Sequence, residues 1–114
     1  MAIHYNLSKV YEISDNDPEF VLQIVHLFVD EIPNDISSLK DMIDEGDHKK
    51  AYSFSHKIKP TLDLFGLDLA YDENKQIDLW TKSEGRRREI KETFKSMENR
   101  IEKVVKELKK DFSI

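Results

Sequence analysis

The chain has 114 residues, 36% of them charged, no cysteine and a formal net charge of −5. That length suits one hydrophobic core rather than two, so residues 1–114 read as a single domain, and the missing thiols exclude disulfides and thiolate metal sites and fit a reducing compartment. Residues 1–81 carry 16 acidic and 7 basic side chains whereas residues 82–110 carry 6 and 11, and in the basic segment glutamates alternate with the cations, which argues against a nucleic-acid partner.

No apolar run approaches the roughly 18 to 20 residues needed to cross a bilayer. The opening Met1-Ala2-Ile3-His4-Tyr5-Asn6 lacks a basic region followed by an apolar one, so a soluble, cytoplasmic protein with no membrane partner is expected. Glycine and proline each occur three times, and no segment alternates apolar and polar residues between turn signals, so the chain reads as all helix. Residues 7–13 form a short helix with Asn6 as cap and Leu7, Val10 and Tyr11 on one side; residues 14–17 break it.

Asp17-Pro18-Glu19 is a strong helix start, combining a capping carboxylate, a proline at the first helical position and a negative charge at the positive dipole end. The helix that follows is apolar on more than one face between Phe20 and Val29, and that surface needs a cover. The short N-terminal helix and a docked partner are two candidates, and both can hold together. Pro33 predicts a kink or brief break, after which Ile36, Leu39, Met42 and Ile43 restore helical spacing as far as Glu45. Gly46 ends this helix and Asp47 caps the next.

The third helix carries His56. Taking about 100° per residue with His56 at zero, Phe54, Ile58, Leu62 and Phe65 fall near about 160°, 200°, 240° and 180°, with Ala51 near about 220°. His56 thus points away from the core, and Lys49, Ser53, Lys59, Pro60 and Asp63 share its side. Gly66 marks a bend or boundary; Leu67, Leu69, Ala70, Ile77, Leu79 and Trp80 predict a fourth helix of less regular pattern, and residues 83–85 a loop. From Arg86, the positions Ile90, Phe94, Met97, Ile101, Val104, Val105 and Leu108 step by three and four, defining a last long helix. The expected architecture is an antiparallel up-down four-helix bundle with a short extra N-terminal helix.

An exposed imidazole is in good part the free base at neutral pH and is a competent nucleophile toward phosphorus. The charge of a phosphorylated imidazole needs balancing, and Lys59 lies one turn on at about 60°, against about 100° for Lys57. His26 falls in an apolar helix and reads as a core or rim histidine; His4 and His48 lie at a terminus and a helix start. No metal site is expected, because no histidine or carboxylate pair repeats at ligand spacing around His56 and Asp63 is its only nearby acid.

These residues resemble a histidine-containing phosphotransfer (HPt) domain. That family carries a His-x-x-Lys-Gly core with a further glycine ten residues after the histidine, and His56, Lys59 and Gly66 fall on those places. Asp17-Pro18-Glu19-Phe20, Leu27-Phe28-Val29-Asp30-Glu31-Ile32-Pro33 and Gly46-Asp47 are similar as well, so the likeness covers about residues 5–110. It implies a carrier, not an ATP-dependent kinase, whose His56 Nε2 accepts a phosphoryl group from the aspartyl phosphate of a response-regulator receiver domain and returns it to another receiver. Lys59 would balance the phosphate charge, and Tyr52, Ser53, Pro60, Asp63 and His26 would form the docking surface. Implied partners are receivers and a hybrid sensor histidine kinase, the protein itself acting as a monomer; it would hold no cofactor, the Mg²⁺ residing on the receiver.

Pro60 departs from the family, which most often has glycine there. Proline has no N–H for the His56 carbonyl and typically costs about 3 kcal/mol inside a helix. A kinked continuous helix is expected, since Ile58, Leu62 and Phe65 keep one face across it; the other reading ends the helix at this point. The residue also separates two functions, a phosphorelay intermediate and a non-phosphorylated module that docks a receiver or kinase.

Overall fold

The computed structural model describes residues 4–114. Met1, Ala2 and Ile3, part of the stretch read for a targeting signal, lie outside the described residues. Five helices follow in order: α1 (Ser8–Ile13), α2 (Pro18–Glu45), α3 (His48–Leu64), α4 (Asp68–Lys82) and α5 (Arg87–Asp111). Among the described residues there is no strand, and no helix is long and apolar enough to cross a membrane.

Helix α1 begins one residue later than its apolar pattern implies: Leu7, not Asn6, holds the cap position, its carbonyl accepting the first helical bond from the Tyr11 amide, while Asn6 Oδ1 accepts from the Ser8 amide at 2.9 Å and from its hydroxyl at 2.6 Å. Asp15 and Asn16 then take left-handed dihedrals and turn the chain, a conformation that short polar side chains tolerate. The Asp17 carboxylate caps α2 by accepting from the Glu19 amide at 3.0 Å, with Pro18 at the first position. No break occurs at exposed Pro33; α2 runs on to Glu45 because its buried stripe of Val21, Val25, Phe28, Ile32, Ile36, Leu39 and Ile43 continues through it. At 1.5 Å per residue its length is about 42 Å, which sets the 43 Å long axis of the molecule.

Gly46 stops α2 at φ +72°, where a side chain would be strained. Asp47 accepts from the Lys50 amide at 3.1 Å and starts α3. Pro60 lies inside α3 without ending it, and Lys59 stays within the helical run. The return to α4 passes through Gly66 at φ +68°, where an added Cβ would stand 2.8 Å from the Asn6 Cβ. The Asn6 amide donates to the Phe65 carbonyl at 2.9 Å, so the N-terminal segment is fastened across this turn.

Side-chain pairs fix the direction of each helix against the next. Phe28 meets Phe65 with ring centroids 4.4 Å apart and Lys57 meets Asp35 at 3.0 Å, so α2 and α3 run antiparallel. Lys82 over Tyr52 and Lys59 over Tyr71 give the same result for α3 and α4, and Gln76 with Thr93 and Glu73 with Arg100 for α4 and α5. Helix α2 also packs on α5, closing a ring of contacts, while α1 rests on α2. Val10 is buried by that contact, yet Phe20 and Leu27 of α2 stay 45% and 56% exposed, so α1 covers only part of the apolar surface.

Candidate functional site

His56 projects from α3 into solvent because its neighbours on the helix, Ala51, Ser55, Ile58 and Leu62, are the ones drawn into the core. Phe65 at the helix end is fully buried as expected, whereas Phe54 is only half-buried. The Tyr52 ring, one turn earlier, stacks on the imidazole with centroids 5.4 Å apart and planes inclined at 21°. Among the described residues no carboxylate hydrogen-bonds the His56 ring, so it lacks the orienting acid of a histidine that works as a general base. An imidazole in this setting is suited to act as a nucleophile itself.

Two helices bring cations to this part of the surface. Half-buried Lys59 holds its Nζ 5.8 Å from the centroid of the Tyr71 ring, which also takes Lys75 at 5.5 Å. Lys82 of α4 lies 5.6 Å from the centre of the Tyr52 ring, the same ring that stacks on His56. No described carboxylate forms an ion pair with Lys59 or Lys82. Lys57, by contrast, is engaged with Asp35 of α2, and that hydrogen bond together with the nearby charge holds its ammonium above the ordinary lysine range. Lys59, one turn from His56, and Lys82, over the ring that stacks on it, are thus each held over a tyrosine and not by a described carboxylate.

The remaining expected positions divide. Ser53 is exposed and returns its hydroxyl to the Lys49 carbonyl at 3.3 Å; Pro60, two turns further along the same helix, is exposed as well. Asp63 is exposed but tied at 2.9 Å to Lys9 of α1, a contact that raises the affinity of Lys9 for its proton. His26 is exposed rather than buried, and it lies nine residues before Asp35, the α2 residue level with Lys57. At 1.5 Å per residue that is about 14 Å along the axis from His56. The other two histidines have local employment: His48 Nε2 meets the Gly85 carbonyl at 2.7 Å and its ring packs on Trp80, and His4 Nδ1 meets Glu107 at 2.7 Å.

Beneath the exposed site runs a polar seam between α3 and α4. Ser55 and Asn74 are fully buried, and Asp78 and Thr81 nearly so. Asn74 Nδ2 donates to the Ser55 carbonyl at 2.8 Å, the Ser55 hydroxyl donates to the Asp78 carboxylate, and Thr81 Oγ1 donates to the Asp78 carbonyl at 2.6 Å. Asn74 Oδ1 has no partner. The surface hollows of about 340, 490 and 590 Å³ lie at the N-terminal segment, between α2 and α5, and along α5, and His56 lines none of these three. Among the described residues no group of three or more histidines and carboxylates is clustered to hold a metal ion. No family model matches the chain, and neither a curated protein nor a solved structure matches it significantly.

Proposed function

We propose that this protein is a histidine-containing phosphotransfer domain, an antiparallel up-down bundle of α2 to α5 with α1 as an accessory helix, and that it works as a phosphorelay intermediate. In that reading His56 Nε2 attacks the phosphorus of an aspartyl phosphate on a receiver domain. The new P–N bond forms as the P–O bond to the aspartate breaks, the carboxylate leaves with the electron pair, and the Nδ1 proton remains on the ring. The reverse step loads the next receiver. The receiver contributes the Mg²⁺ and the acidic pocket; this chain contributes nucleophile, local positive charge and docking surface.

One observation carries the reading: an exposed imidazole stacked on Tyr52, with Lys82 over that same ring and Lys59 one turn on, and, among the described residues, no carboxylate bonded to the imidazole or paired with either lysine. Cations in that position favour the phosphorylated state, whose extra negative charge they meet. Tyr52 on one side and compact, exposed Pro60 on the other leave the approach to the imidazole open to a partner.

The test is to incubate the protein with receiver domains phosphorylated on aspartate and to follow acid-labile, base-stable phosphate. Label on the wild type that disappears in His56→Ala is the expected result. Label that persists in that variant sinks the assignment. Binding without label by any receiver tried transfers the reading to a docking module, the function that Pro60 in place of glycine favours.

A further inference from the structure

Asn74 and Asp78 stand one turn apart on the inward face of α4, and both meet α3 at Ser55, the residue before His56. A buried carboxamide is costly unless its polar atoms are paired. Asn74 is fully buried with Oδ1 unpartnered, so the bond its Nδ2 makes to the Ser55 carbonyl is the polar contact it retains. A leucine, branched at the same atom and without polar groups, would carry no such penalty. The Ser55 hydroxyl is itself directed to Asp78, whose backbone is held in turn by Thr81. Ser55 is thus tied to α4 through main chain and side chain together.

The place is mechanically weak. Pro60 gives no N–H to the His56 carbonyl, and its ring crowds that carbonyl, so the turn carrying the imidazole is short of one bond of the helical ladder. We infer that Asn74 and Asp78 are positioning residues for His56: they hold α3 at the residue before it, across the turn that Pro60 weakens, and so aim the imidazole at its partner. The effect on transfer rests on His56 being the phospho-acceptor, but the aiming does not. Misplacement of a reacting group by about 1 Å costs up to about a hundredfold in rate.

The experiment compares Asn74→Leu, which removes the donor and keeps the side-chain branching, in the natural chain and in a Pro60→Ala background, where the missing amide is restored. Three quantities are followed: receiver Kd, transfer rate, and the ring ¹⁵N and ¹H signals of His56 with those of His26 as internal control. In the natural chain Asn74→Leu is expected to leave Kd within about twofold, slow transfer about tenfold and shift or broaden the His56 signals while His26 is unmoved. With Pro60→Ala the same substitution changes rate and ring signals little. Asn74→Ala serves as a second variant should leucine disturb packing.

A variant that melts lower yet keeps the His56 signals and rate of the wild type overturns the inference, as does an equal effect with and without Pro60. Ring signals that respond as stated in a protein no receiver can label uphold the positioning and dismiss the relay. Labelled His56 that ignores Asn74 does the reverse.

Discussion

Replacing Pro60 by alanine probes the turn below His56, where a proline stands inside a continuous helix. Pro60 is exposed, so alanine loses no core packing, and it supplies the amide that the His56 carbonyl lacks. In a helix interior alanine is better than proline by about 3 kcal/mol. The unfolded chain regains freedom with alanine, which takes back about 0.4 to 1 kcal/mol. The net expectation is stabilisation by about 2 kcal/mol. For 114 residues unfolding entropy is about 0.24 kcal/mol per degree, so the melting midpoint should rise by roughly 8 °C. Circular-dichroism melts and urea titrations measure the gain, and slowed hydrogen exchange of the new residue-60 amide locates it. A midpoint that stays or falls refutes the reasoning, since it means that α3 has adapted fully to proline and that no weakened turn lies beneath the imidazole.

Lys59→Ala should slow phosphoryl transfer to His56 roughly fivefold, the equivalent of about 1 kcal/mol for a half-exposed charge contact, with the melting midpoint unchanged; equal transfer rates would remove Lys59 from the site. The Lys57–Asp35 pair gives a pH signature. Folding raises the proton affinity of Lys57, so its stabilisation is fully present below the ordinary lysine value near about 10.5 and is lost as pH climbs through the raised one. Urea titrations of wild type and Lys57→Met should therefore differ by a constant amount at neutral and mildly basic pH and converge as pH climbs beyond the ordinary lysine range; a difference that persists unchanged through that range would deny the pair its role.

Much of the fold was legible because apolar spacing and cap chemistry agree along α2 and α5: the stripes from Val21 to Ile43 and from Ile90 to Leu108 are the buried ones, with Met42 and Val105 half-buried. The continuity of α3 through Pro60 could be read from the same logic, since Ile58 and Leu62 keep one face. Helix α4 was harder. Counting apolar residues enlisted Leu69 and Leu79, which are 59% and 65% exposed, and passed over Asn74, Asp78 and Thr81, which are buried. A register drawn from Ala70 and Ile77 alone would have turned those polar residues inward, the signal that leads to the seam under His56.

Within the site, a helical wheel separated Lys59 from Lys57, and Lys57 is indeed the one spent on α2. It could not bring in Lys82, whose approach to Tyr52 depends on how α4 lies against α3. Nor could it supply axial distance: His26 shares a surface helix with the packing partners of α3 but stands well along the axis from His56. Exposure is read from one helix, proximity only from two.

The open setting of His56 also carries a meaning in time. His56 is exposed on α3 and lines none of the three surface hollows, so whatever is bound there meets bulk water as readily as it meets a partner. A phosphoryl group stored on such a ring would persist for as long as the P–N bond resists hydrolysis under the influence of Lys59 and Lys82, with shelter adding little. If the proposed relay holds, the side chains that take up the phosphoryl group would then also time its loss, and a message not handed on would erase itself.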